Sequence, residues 1–128
     1  MAWEFSKHYT REEARALLPQ IRLWLEELDR DRRLLKQHDD DIAKPLADGH
    51  DLGGKLVTGW VRALARVKEL IEEFQSREIE IKDLDRGLVD FPAFLGGKEV
   101  FLCWEKDEDD IEFWHDLKSG YSGRERLD

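Results

Sequence analysis

From Ala14 onward apolar residues recur at three- and four-residue steps: Ala14, Leu17, Leu18, Ile21, Trp24, Leu25, Leu28 and Leu35. That spacing lines them up as one stripe of an amphipathic helix. Thr10 and Glu13 stand at the spacing of a capping box, in which hydroxyl and carboxylate satisfy the first free amides reciprocally. The helix is therefore expected to start near residue 10. Pro19, two turns in, removes one helical hydrogen bond and predicts a kink. His38-Asp39-Asp40-Asp41, Pro45, Gly49, Gly53 and Gly54 are loop chemistry, so the helix is expected to end near 38 and a loop to cover 38–55. Val57, Trp60, Leu64, Val67, Ile71 and Phe74 then step by three and four, widened by Leu56, Ala63 and Leu70. They predict a second helix over 54–76. Two matching stripes joined by a loop predict an antiparallel helical hairpin.

After Ser76 the period changes to two. Ile79, Ile81 and Asp83 alternate with Glu80 and Lys82, and Arg86-Gly87 reads as a turn. Val100–Trp104 and Ile111–Leu117 are strand-like and flank the acidic run Asp107-Glu108-Asp109-Asp110. Taking those four residues as the hairpin loop sets Leu102 opposite His115, Trp104 opposite Phe113 and Val100 opposite Leu117. One face then carries Val100, Leu102, Trp104, Phe113, His115 and Leu117. The other carries Phe101, Cys103, Glu105, Glu112, Trp114 and Asp116, and needs cover from Phe91–Leu95, from Trp3 and Phe5, or from a second subunit. The expected fold class is α+β: an antiparallel αα-hairpin packed on a small antiparallel sheet of two to four strands from the C-terminal half. The expectation is a single domain, 1–128, with strands within 78–117 and a C-terminal loop over 118–128.

Composition narrows the function classes. Charged residues make up 40% of the 128, the hydrophobic share is 41%, and the formal net charge is −9. Five Trp and six Phe beside that charge argue for a packed core and against disorder. An acidic chain has the wrong sign for a phosphate backbone, which argues against nucleic acid as a partner. Arg11, Arg15, Arg22, Arg30, Arg32 and Arg33 make the first helix locally basic, but interspersed Glu and Asp point to an ion-paired surface. One cysteine excludes an internal disulfide, and the apolar runs fall short of a membrane span. The opening Met-Ala-Trp-Glu-Phe-Ser-Lys-His has no apolar signal stretch, so the cytoplasm is the expected compartment.

Three segments together, YTREEARALLP at 9–19, IKDLDRGLVDFPAFLGGKEVFLCW at 81–104 and WHDLKSGYSGRERLD at 114–128, carry a resemblance. They resemble a small bacterial and archaeal family, domain-of-unknown-function family 2203. The resemblance spans nearly the whole chain and implies no particular activity or catalytic residue.

Candidate chemistry is sparse. Gly49–Leu56 nearly spells a phosphate-binding loop, but Leu56 stands where the magnesium-ligating hydroxyl belongs. His38, Asp39–Asp41, His50 and Asp51 hold metal-ligand types without a defining spacing. Asp107–Asp110 lacks the glycine and distal Glu of a calcium loop and reads as a solvated turn. The remaining set is Asp83, Arg86, Asp90, Cys103, His115 and Arg124. Asp83 continues the alternation of Ile79 and Ile81, which points it inward, and His115 falls on an apolar face. Such residues either cap turns and satisfy one core hydrogen bond, or form an acid–base pair or metal ligands. The register places Cys103 and His115 on opposite faces, which sets aside a nucleophilic pair.

The reading favoured from sequence is a non-enzymatic interaction or scaffold module acting as a homodimer. The alternative is a metal- or small-ligand-binding protein, possibly a hydrolase. It would use Asp83, Asp90 and His115 as ligands to a divalent metal, with Arg86 beside them.

Overall fold

The computed structural model describes residues 2–47 and 54–128, the side chains of 42–47 excepted. Two helices, α1 (Arg11–Ala47) and α2 (Gly54–Ser76), precede five strands: β1 (Glu80–Asp83), β2 (Leu88–Leu95), β3 (Lys98–Glu105), β4 (Phe113–Asp116) and β5 (Glu125–Arg126). A 3-10 turn, Tyr121–Gly123, lies between β4 and β5. The class is α+β, as expected. No helix among the described residues is long and apolar enough to cross a membrane. The chain divides into two compact units, residues 24–72 and residues 1–23 with 73–128.

The first unit is the helical hairpin. Leu25 and Leu28 of α1 and Ala63 and Leu70 of α2 are its buried apolar positions. Asp31, 2% exposed, sits on that stripe and is tied to α2 by Arg66 Nε at 3.1 Å. The expected end of α1 at His38 is corrected, because the helix continues to Ala47. Its partner makes this possible. Trp60 of α2 donates its indole N–H to Asp39 at 2.8 Å, and the His38 ring lies against Gly59. Helical neighbours thus outweigh the loop-forming chemistry of His38–Asp41. The helix is also continuous through Pro19, an exposed position. Most of the phosphate-loop-like segment Gly49–Leu56, with His50 and Asp51, lies outside the described residues.

The second unit is built on the sheet. All five strands are antiparallel neighbours in chain order, an uninterrupted meander. Gly96 and Gly97, both at positive φ, form the two-residue turn between β2 and β3, the geometry that matches strand twist. Strands β2 and β3 are buried on both faces from Leu88 to Ala93 and from Glu99 to Trp104. β2 consequently reads as an apolar run, interrupted by Asp90, without alternation, which is why periodicity does not single it out. The beginning of α1 packs within this unit through Ala14, Leu18 and Ile21, with Arg22 over the Trp104 ring at 4.9 Å. Its capping box forms as expected, Thr10 N–H donating to Glu13 and Glu13 N–H to the Thr10 hydroxyl.

The other sheet face is covered by the N-terminal segment, one of the covers anticipated. Phe5 meets Phe101 edge-on at 5.3 Å and Trp3 meets Phe94 at 4.9 Å. Glu99 anchors the segment, accepting the Glu4 and Phe5 amides at 2.9 and 3.1 Å and the His8 imidazole at 2.7 Å. Burial works against ionising Glu99, but these donors outweigh it and hold its pKa below the ordinary value. Glu78 accepts the Ser6 amide and hydroxyl. It also closes α2, with left-handed φ of 57°, while Glu78 N–H reaches Gln75 and Ile79 N–H reaches Phe74.

The β3–β4 register corrects the expected one by a single residue. Phe101 faces His115, Leu102 faces Trp114, Cys103 faces Phe113 and Val100 faces Asp116. The loop is not the acidic tetrad but runs 106–112, because Ile111 is fully buried as a loop residue and Glu108 folds back. The Glu108 carboxylate accepts Glu105 N–H at 2.8 Å, and its carbonyl accepts the Trp104 indole at 2.9 Å. Asp110 is bound by Arg15 at 2.7 Å, so the acidic run is a clamp rather than a solvated turn. Residues 118–128, expected as loop, contribute the 3-10 turn and β5. Two residues are too few to alternate visibly, yet Leu127 N–H extends the pairing to the Glu112 carbonyl at 2.8 Å.

Gly87 offers a direct check of the β1–β2 turn. It has φ of +64°, and a Cβ there would lie 2.6 Å from the Lys106 side chain. Gly96, at φ +60°, has open space around the same position. Gly87→Ala is expected to cost about 2 kcal/mol and Gly96→Ala about 1 kcal/mol in urea denaturation. Equal costs would show that the Lys106 contact contributes nothing.

Candidate metal centre

Asp90, Cys103 and His115 come from three adjacent strands, β2, β3 and β4. Asp90 is directly opposite Cys103, and Cys103 is the diagonal neighbour of His115 across the β3–β4 pair. Side chains alternate faces along a strand, so all three point to the same side of the sheet. β2 and β4 are separated by two strand spacings, roughly 9.6 Å. Only because the residue between them is a small cysteine do an imidazole and a carboxylate meet above it. His115 Nε2 lies 2.9 Å from Asp90 Oδ2. One donor atom from each of the three residues lies within 4.8 Å of the others.

The site is interior. Asp90 is 1% exposed, Cys103 0% and His115 2%. His115 Nδ1 donates to the Asp116 carbonyl at 2.7 Å, which fixes the ring and turns Nε2 toward Asp90 and Cys103. Burial alone would depress the imidazole pKa. Hydrogen bonds to Asp90, Cys103 and the Asp116 carbonyl, with the Asp90 charge, outweigh it and lift the value to about 10. At neutral pH the imidazole is held in its protonated form. Among the described residues Asp90 Oδ1 has no hydrogen-bond partner, although it is buried.

Aromatic and guanidinium groups close the site. Phe101 lies against His115 with centroids 5.5 Å apart. Arg124 Nη1 points at Cys103 Sγ from 3.9 Å, while its guanidinium lies over Phe113 at 3.8 Å and Tyr121 at 4.2 Å. A two-pronged ion pair with Glu108, at 3.1 and 2.9 Å, holds Arg124 there and balances its charge.

Of the residues expected to form a site, Asp90 and His115 are brought together and Asp83 and Arg86 are engaged elsewhere. A β-bulge between Ile81 and Asp83 breaks the alternation that was to aim Asp83 inward. Its carboxylate instead accepts the Arg86 amide at 3.2 Å, capping the turn. Arg86 pairs with Glu105 at 2.7 Å and covers Tyr121 at 4.1 Å. Cys103 is the member that the sequence reading separated from His115. The corrected register removes the geometric ground for doing so, since the two share a face. The signal that could have found it is the parity of the β3–β4 connection: an odd number of residues between paired positions, nine between Cys103 and Phe113, pairs Phe101 with His115 and puts all three on one face.

In the unfolded chain His115 titrates near 6.5, and in the folded, metal-free protein near 10. The ion pair therefore contributes fully below about pH 6.5, and its contribution declines as pH rises toward 10. Wild-type unfolding free energy is expected to fall by a few kcal/mol more than that of His115→Gln between about pH 6 and about pH 9.5. Parallel profiles for the two proteins in urea titrations would sink the charged pair.

No curated protein and no solved structure matches the chain. Residues 7–127 match a family described as "uncharacterized conserved protein (DUF2203)", and with nearly its full length covered the chain belongs to that family.

Proposed function

We propose that this chain is a non-enzymatic metal-binding protein whose sheet holds one zinc-type divalent ion between Asp90, Cys103 and His115. The observation that carries the reading is the convergence of a carboxylate oxygen, a thiol sulfur and an imidazole nitrogen within 4.8 Å in the interior. The donor types select the ion. Sulfur with nitrogen suits zinc and its transition-metal neighbours, whereas magnesium and calcium take oxygen ligands. Charge agrees as well: a carboxylate and a thiolate balance a divalent cation, and Arg124 is already balanced by Glu108. The unpartnered Asp90 Oδ1 supplies a further donor atom for a four-coordinate centre. The Nδ1–H bond to the Asp116 carbonyl supports the ligand role of Nε2, as outer hydrogen bonds do for metal-bound histidines.

Burial favours a structural role over hydrolysis. Cys103 is fully buried and its neighbours nearly so, and a catalytic ion needs a position open to substrate. Metal entry displaces the Nε2 proton, so binding releases that proton at neutral pH and tightens as pH rises.

Elemental analysis after dialysis against Zn²⁺ is expected to give about one ion per chain, with a rise in melting temperature of about 10 °C at ion concentrations 100-fold above Kd. Cobalt-loaded wild type is expected to show a sulfur-to-metal charge-transfer band that Cys103→Ser loses. Asp90→Asn is expected to lower affinity at least about 10-fold. Wild-type protein that holds no ion and does not shift on melting would overturn the reading.

A further inference from the structure

Cys103 is the chain's one cysteine and is fully buried, yet the chain that lies over it is not. Arg22 of α1 lies over Trp104, and side chains alternate along β3, so that contact belongs to the sheet face opposite Cys103. Two segments cover the face of Asp90, Cys103 and His115. The N-terminal segment lies on Phe101 and Phe94 through Phe5 and Trp3. Residues 117–128 supply Arg124, which approaches the Cys103 sulfur and lies over Phe113, the residue paired with Cys103.

The two layers of this cover differ in how firmly they are held. Leu88–Ala93 of β2 and Glu99–Trp104 of β3 are buried without a break, whereas none of residues 117–128 is buried. β5 pairs with β4 through two residues, Arg126 and Glu125, and Leu127 N–H adds one bond to the Glu112 carbonyl. The rest of the hold converges on Arg124. Its guanidinium donates to Glu108 at 3.1 and 2.9 Å and lies over Phe113 and Tyr121. Releasing a segment with little buried surface costs far less than unfolding the sheet beneath it. A pivot is also present. Ser119 returns its N–H and hydroxyl to the Asp116 carbonyl at 3.2 and 3.3 Å, which keeps that turn with β4. Gly120 follows it, with open space where a Cβ would stand. Motion about Gly120 leaves the His115 bond to Asp116 intact.

We infer that residues 120–128 form a flap, latched by Arg124 on Glu108, that opens about Gly120 while the sheet stays folded and so uncovers the Cys103 sulfur. Asp90 and His115, beside that sulfur, are uncovered with it. A buried centre needs an entry path, and this opening supplies one. Passage of an ion along it rests on the metal reading above, but the opening itself does not. Labelling of the thiol in metal-free protein therefore separates failure of the flap from failure of the metal site.

The test follows iodoacetamide labelling of Cys103 by mass, on the full chain with a chelator present, across urea concentrations. Below the unfolding transition wild type is expected to label with little urea dependence. Its rate there is expected to be at least about 10-fold above what the global unfolding equilibrium allows. Arg124→Ala is expected to speed this low-urea labelling at least about 10-fold, the effect of losing a charge-assisted pair. Glu108→Gln, a milder change to the latch, is expected to act in the same direction. A thiol becomes less reactive when a neighbouring cation is removed, so acceleration by Arg124→Ala reads access and not sulfur chemistry. Phe5→Ala loosens the other covering segment. It is expected to lower the urea midpoint and leave low-urea labelling unchanged. Labelling that tracks global unfolding at every urea concentration would overturn the inference. So would equal acceleration by Phe5→Ala and Arg124→Ala, or no acceleration by either latch variant.

Discussion

An imidazole and a carboxylate two strands apart can share a hydrogen bond only if the intervening strand offers a small side chain where they cross. In this sheet that strand is β3 and that residue is Cys103. A leucine or phenylalanine there would fill the space through which His115 reaches Asp90, leaving two polar groups buried without each other. The cost of such separation is several kcal/mol, because an interior charge without its partner has lost its solvation and gained nothing. The arrangement also accounts for the burial of both faces of β3. Phe101, Cys103 and His115 share one face with the Phe5 contact, while Val100, Leu102 and Trp104 supply the other, where Arg22 of α1 lies over Trp104. A strand packed on both sides has no freedom to slip, since a shift of one residue would exchange its faces.

The acidic excess follows from how the chain fastens its loose segments. Glu99 and Glu78 hold the N-terminal segment through its amides, and Asp83 holds an amide at the β1–β2 turn. Glu108 and Asp110 fold the β3–β4 loop onto Arg124 and onto Arg11 and Arg15 of α1. The Arg15 guanidinium, with the Ile111 amide, keeps the Asp110 pKa below its ordinary value despite desolvation. Carboxylates serve here as two-oxygen acceptors for amides that no strand pairs. A net charge of −9 is thus partly the residue of local hydrogen bonding, and reading it as a signal about partners would overstate it.

Much of this was legible in the chain. The α2 limits and the start of α1 follow from periodicity and one capping box, because helical signals lie within a few residues of one another. The N-terminal aromatics could be named as cover for the second sheet face because that face carried Phe101 and Trp114 with nothing assigned to it. What failed depended on distant contacts. α1 outruns its loop chemistry because Asp39 finds Trp60, twenty-one residues on. The register slipped because the acidic tetrad resembles a complete turn, while Ile111, next to it, is drawn inside. That one-residue error moved Cys103 away from His115. The bulge that removes Asp83 from the set is equally invisible to alternation, which assumes an unbroken ladder.

The proposed ion and the Nε2 proton would compete for the same atom, and this sets how the proposed centre relates to folding. In a zinc finger the ligands have no other stabilising partners, so removing the ion removes the fold. Here the pair already has partners: Nε2 bonds Asp90, Nδ1 bonds the Asp116 carbonyl, and Asp90 Oδ1 is the atom of the pair without a partner among the described residues. On the proposed reading, binding adds stability equal to the affinity of the ligands less the cost of breaking the His115–Asp90 ion pair. Such a centre answers to ion concentration and to pH together, because each proton expelled from Nε2 must first be taken from a site that holds it to about pH 10. In the proposed centre the same imidazole would serve as a counter-ion for Asp90 while protonated and as a metal ligand once it is not, with the backbone carbonyl of Asp116 holding its ring.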